Sequence, residues 1–240
     1  MNPQASLLVQ CGIPGLTVVV LALVVLGVRR VSGAGAMLRF GMAALAWLAF
    51  TGVLGASGFL ADFESRPPHL LVVFLPTLAG TVLLGLSRFG TELARLPLPA
   101  LIAFHGFRFP LELVMHRAAS DGTMPVQMTF TGSNFDIATG ITAVVVAALA
   151  ARDRAPRWLL LAWNALGSAL LITILGIAVA SLPPFGLFGR KPEQLNTWVA
   201  YFPYVWLPAG LVSAAVLGHV LLWRRLLTHG MRGRALAPLV

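Results

Sequence analysis

Apolar residues run through this chain in long unbroken stretches separated by short clusters of Arg, Pro and Gly. Neither the alternation of a half-buried strand nor the one-sided stripe of a soluble helix is present. The stretches predict seven helical segments, at about 13–28, 40–60, 70–87, 97–115, 137–151, 158–180 and 203–223, most of them near the 20 apolar residues that cross a bilayer. The fifth is the shortest, about 15 residues. It is expected to borrow apolar length from Phe130 to Phe135 or to sit in a locally thinned bilayer. The expected fold class is therefore all-α: a polytopic membrane protein whose residues 1–240 form a single domain of seven transmembrane helices. No internal repeat aligns, and an odd number of spans argues against a simple inverted-repeat transporter.

The positions of the cations orient this bundle. Arg29, Arg30, Arg39, Arg88, Arg95, Arg152, Arg154, Arg157, Arg224, Arg225, Arg232 and Arg234 fall in one set of connections. Only Arg66, Arg117, Arg190 and Lys191 fall in the other, and Arg108 lies inside a span. By the positive-inside tendency the amino terminus is expected outside and the carboxy terminus in the cytoplasm. The two longest outward connections are residues 116–136 and the aromatic segment 181–202, with Pro183, Pro184, Phe185, Phe188, Trp198, Tyr201 and Phe202.

Composition supports the same class. Hydrophobic residues make up 58% of the chain and charged residues 10%, where soluble chains carry about 25% charged residues. A cytosolic enzyme, a disordered chain and a disulfide scaffold are excluded; Cys11 is the only cysteine. No basic stretch and no apolar run precede Cys11, so a cleaved leader is not expected. The net charge of +9 is read as topology signal and contact with anionic lipid, not as a nucleic-acid footprint. Arg supplies all but one of the cations, a bias that suits a bacterial inner membrane.

Candidate chemistry concentrates on the fourth span. An ionisable side chain inside a bilayer costs about 2.5–3.5 kcal/mol on insertion scales, so its presence marks a use. At about 100° per residue, His105, Arg108, Glu112 and His116 fall within an arc of about 80°. Arg108 and Glu112, four apart, are expected to pair directly, and Pro110 between them to kink the helix. The expected site is an outward-open polar pocket for a small anionic or proton-coupled ligand. In it Arg108 is the anion contact, Glu112 its charge partner or proton carrier, and His116, Asn134 and Asp136 the rim. Asn134 and Asp136 can equally serve as caps for the fifth helix. Asn164 and Ser168, one turn apart, read as packing glue between helices, as do the small residues Gly210, Ala214 and Gly218.

Three further chemistries stay open. His69, Glu112, His116 and Asp136 share a depth at which a metal ion can be held, which would make the protein a metal-dependent enzyme of the outer face. His105 and His219, on two spans, can ligate haem b. Met115, Met124 and Met128 offer soft sulfur near His116 for copper. A retinal Schiff base is excluded because residues 203–223 hold no lysine, and no Walker loop, C-x-x-C or G-x-S-x-G is present. A non-catalytic subunit of a larger membrane complex, docking through 181–202, is the remaining alternative.

The block Phe107-Arg108-Phe109-Pro110-Leu111-Glu112-Leu113-Val114-Met115-His116, followed by Pro125 to Phe130 and Gly132 to Asp136, resembles one found in a family of bacterial multi-span membrane proteins of unknown activity. The resemblance covers about 40 residues around the fourth span. It implies a shared multi-span fold and a shared site, and adds no chemistry.

Overall fold

The structure, a computed structural model, describes residues 5–234, with side chains through residue 228. All regular elements among the described residues are helical. Helix α1 (Leu7–Ala56) is 50 residues long and is broken at Gly33, where φ is 82° and ψ is 177°. Only glycine adopts that conformation freely. A straight helix of this length would reach about 75 Å. Instead Gly41 lies against Val25, so the chain reverses at Gly33 and its two arms run side by side. The first two predicted segments are these arms. The connection expected over residues 29–39 shrinks to one glycine, and the first arm begins six residues earlier than read.

Helix α2 (His69–Leu86) is followed by the short α3 (Arg88–Leu93). The fourth predicted segment is built from three pieces: α4 (Leu98–Ala103), a 3₁₀ turn (Phe104–Phe107) and α5 (Arg108–Ser120). Pro110 has no N–H to give the carbonyl of Gly106, and that carbonyl lies inside the tightened turn. The expected kink thus takes the form of a change in helical pitch. Helix α6 (Ile137–Ala151) matches its predicted bounds. Residues 130–135 are turn and irregular chain, so α6 borrows no length from them and stays about 22 Å long. Helix α7 (Arg157–Ala180) is followed by the 181–202 connection, a π-helical turn (Leu207–Val212) and α8 (Ser213–Arg234). Five of these helical stretches are long and apolar enough to cross a membrane: α1, α2, Leu98–Ser120, α7 and Leu207–Thr228. Helix α6 is apolar but shorter.

Two apolar clusters hold the bundle. One, at the end that carries the long connections (the loop end), gathers Ile13, Leu60, Leu111, Leu182 and Trp198. The other, toward the Arg-rich connections (the basic end), gathers Val28, Leu93, Ile102, Trp163 and Leu222. Chain position puts residues 105 and 108 at the seam between them, since Ile102 belongs to one cluster and Phe107 to the other.

At the basic end Arg224 and Arg157 tie helices together through backbone carbonyls. Arg224 donates to the carbonyls of Gly85 (2.8 Å) and Ser87 (3.0 Å) and to the Thr91 hydroxyl. Arg157 donates to the Leu226 carbonyl at 3.1 Å. At Gly85 and Ser87, where α2 ends, the Arg224 cation opposes the negative end of the helix dipole. Arg232 and Arg234 lie outside the residues whose side chains are described.

At the loop end, Asp121 accepts from the Ser6 N–H at 3.0 Å and pairs with Arg117 at 2.9 Å. Hydrogen bonding from Ser6, and then the Arg117 charge, hold this carboxylate below its ordinary value. The attachment is therefore at full strength above the ordinary carboxylate value of about 3.9 and weakens as pH falls through the lowered one. Hydrogen exchange should show the amides of Val9 and Gln10, the first bonds of α1, keeping their protection down to about pH 4 and losing it as pH falls further. An Asp121→Asn variant should show no such pH dependence.

Candidate functional site

The residues around the seam form one polar network across four helical segments. Arg108, the first residue of α5, is 1% exposed. Its guanidinium makes an ion pair with Asp136 and contacts His219 Nε2 of α8 at 2.8 Å. An arginine is always a donor, so His219 Nε2 accepts and the ring proton sits on Nδ1. That nitrogen is 2.8 Å from Asn164 Oδ1 of α7 and donates to it. Asn164 Nδ2 in turn faces the His219 carbonyl at 3.4 Å. Arg108 thus donates in both directions, to Asp136 and to His219, and the His219 ring carries the second of these on to Asn164.

Glu112, one turn along α5 from Arg108, is 2% exposed. The direct Arg108–Glu112 pair expected from the spacing does not form. The guanidinium turns to Asp136 and His219, which together offer it two acceptors, and Glu112 Oε1 instead accepts from Asn134 Nδ2 at 2.8 Å. Asn134 also donates to the Met128 carbonyl (3.1 Å) and accepts the Asp136 N–H (3.0 Å). Of the capping alternative, Asp136 stands at the N-cap of α6 but its side chain bonds no helical N–H there, and Asn134 holds only the N–H of Asp136 itself. The second oxygen of Glu112, Oε2, is buried with no hydrogen-bond partner.

Glycines make room for the imidazoles. A Cβ on Gly218 would stand 2.7 Å from His105 Nε2, and one on Gly167 would stand 2.7 Å from His219 Cε1. The small-residue stripe of the last helix thus serves the site through Gly218 as well as packing.

Glu112, Arg108 and Asp136 line a cavity of about 80 Å³. Its remaining walls are apolar and come from α2 (Leu70, Leu71, Phe74), from Phe107, Leu111 and Met115 beside the charged groups, from the loop-end half of α7 and from the π-helical turn, with Asn196 as the other polar group. Asn196 is 2% exposed; its Nδ2 donates to the Ala178 carbonyl at 3.1 Å, which turns its Oδ1, buried and without a partner, the other way.

The expected metal set is not assembled. His69 stacks on Phe59 at 4.2 Å and its Nδ1 meets the Phe59 carbonyl, beside Asp62. His116 stacks on Phe130 at 4.6 Å. Among the described residues no three His, Cys, Asp or Glu side chains are grouped as ligands would be. Four residues at one depth need not lie on facing sides of their helices, and here two of them turn to aromatic neighbours. The haem pair does meet, but ring against ring: the His105 and His219 centroids are 4.1 Å apart at a tilt of 39°, which leaves no room for a porphyrin between them, and Arg108 takes His219 Nε2. Met115, Met124 and Met128 are all in the apolar core. The 181–202 connection, read as a docking surface, is partly core: Trp198 and Ala200 are fully buried, while Phe185, Leu187 and Phe188 are exposed.

The sequence offered no sign of Asn196, which sits in an irregular connection. Asn164 and His219 were visible as polar residues within spans, but their joining to Arg108 was not, because no local spacing relates residues 55 and 111 positions apart. Compared with protein families, curated proteins and solved structures, the chain matches none.

Proposed function

We propose that this is a seven-crossing integral protein of a bacterial inner membrane, amino terminus outside, and that the cavity beside α5 is a ligand chamber in which Glu112 makes the decisive contact. Seven crossings are supported by the two arms of α1, α2, the α4–α5 stretch, α6, α7 and the final helix, with arginines gathered at alternate ends. Arg108, the anion contact of the simplest reading, is already committed to Asp136 and His219. The reading therefore narrows to a cation or a proton held on Glu112. One observation carries it: a carboxylate oxygen that is buried, unpartnered and set in the wall of a cavity. Leaving such an atom unpaired costs about 1–3 kcal/mol, which no packing role requires.

Dicyclohexylcarbodiimide, a lipid-soluble reagent for carboxyl groups, tests this reading on the full chain in phosphatidylcholine nanodiscs. Peptide mass spectrometry should find Glu112 modified in preference to Glu64, Glu92 and Glu193. An unmodified Glu112 would mean a sealed interior and would remove the chamber. Orientation is tested separately in a Cys11→Ser background. A membrane-impermeant maleimide should label Ser120→Cys in intact cells and Asp153→Cys only after permeabilisation.

A further inference from the structure

The geometry points to a side entrance: the chamber takes a single-chain amphiphile with a protonated amine head directly from the bilayer, an inference that rests on Glu112 being the ligand contact. The loop end of the cavity is closed. Leu182 and Val199, which line it there, are buried beside the fully buried Trp198 and Ala200. The 181–202 connection is stitched down by Gln127 Nε2, which donates to Ser181 Oγ (3.1 Å) and the Gln194 carbonyl (2.9 Å). The Asn196 N–H adds a bond to the Ser181 carbonyl at 2.8 Å. The opposite end is closed by Arg108 and its partners.

Of all the residues that line the cavity, only Leu175, Ala178, Val179, Pro208 and Val212 are not buried. All five are apolar, and they lie on α7 and the π-helical turn, segments read as membrane-spanning. The open wall therefore faces acyl chains and not water, in contrast to the outward opening expected from the sequence. A helical wall that opens at a π-turn is a recurrent feature of functional sites.

Shape and chemistry then select the occupant. About 80 Å³ between largely apolar walls has room for an amine head and the first few methylenes, the rest of the chain staying among the acyl chains outside the mouth, and none for a bulky ring system. The unpartnered polar atoms that the cavity residues contribute without a charge partner are acceptors, Glu112 Oε2 and Asn196 Oδ1. A head group that donates hydrogen bonds and carries positive charge complements both. A carboxylate head would meet two acceptors and an arginine already neutralised by Asp136.

The test measures the rate at which dicyclohexylcarbodiimide labels Glu112 in phosphatidylcholine nanodiscs. Dodecylamine should slow labelling tenfold or more, while laurate and butylamine at equal concentration should leave it within twofold. A water-soluble carbodiimide should label Glu112 at least tenfold more slowly than the lipid-soluble one. Ala178→Trp, a partly exposed position at the proposed mouth, should slow labelling tenfold without touching Glu112. Protection by butylamine equal to that by dodecylamine overturns the amphiphile and leaves the chamber standing. Protection by laurate and not by dodecylamine overturns the head-group assignment. Wild-type labelling of Ala178→Trp, or fast labelling by the water-soluble reagent, overturns the side entrance. Failure of Glu112 to react at all overturns the chamber itself.

Discussion

Replacing Arg108 by methionine should be the most damaging single change in the polar network, costing about 3–5 kcal/mol of stability. The side chain fits a similar volume, so packing is largely kept, but Asp136 is left as an uncompensated buried charge and His219 Nε2 loses its donor. The loss should appear in denaturation of the purified protein and as reduced accumulation in the membrane. Arg108→Lys should fall between the two, because one ammonium cannot reproduce the forked contact with Asp136 and His219 together. The double variant Arg108→Met/Asp136→Leu should recover much of the loss, since removing both members of a buried pair is far cheaper than removing one. A double variant no more stable than Arg108→Met would show that Asp136 matters through something other than the pair.

Glu112→Gln should act in the opposite direction and raise stability by about 1–3 kcal/mol. The amide keeps an oxygen for Asn134 Nδ2 and removes the negative charge of a group buried beside Asp136, the gain coming from that charge because its NH2 takes over the unpartnered position of Oε2. The same variant should lose all labelling at this position. A residue whose removal stabilises the protein while erasing its reactivity is one retained for use, because functional sites commonly oppose the stability of the fold that carries them. A loss as large as that of Arg108→Met would instead make Glu112 a structural partner and count against the ligand contact. The contrast between the two residues, one turn apart on the same helix, separates the frame of the site from its working group.

Much of this architecture can be read from the chain alone, and the reasons are local. The bounds of α6, and those of α2 and α7 to within a residue, follow from apolar runs ended by Arg, Pro or Gly, because a helix in lipid must satisfy its own backbone and be apolar on its outside. The stripe on the fourth span was legible for the same reason: a 3.6-residue period brings His105, Arg108 and Glu112 to one side. Less legible was the reversal at Gly33, since one glycine among several in that region carries the turn and its neighbours remain helical. The π-helical turn at Leu207–Val212 was equally hidden, for Pro208 at a helix start is compatible with an ordinary α-helix.

The helical segments and the place of each charged residue along them were determined by sequence, because hydropathy and helical period depend only on near neighbours along the chain. Which charge meets which was decided only in three dimensions. The i to i+4 spacing of Arg108 and Glu112 favours a pair, yet the rotation of α6, α7 and α8 about α5 brings Asp136, Asn164 and His219 to the guanidinium and leaves Glu112 to Asn134 and an empty space. Contact across helices depends on those rotations, set by packing at close approaches such as Gly167 and Gly218, and no local pattern in the chain encodes them.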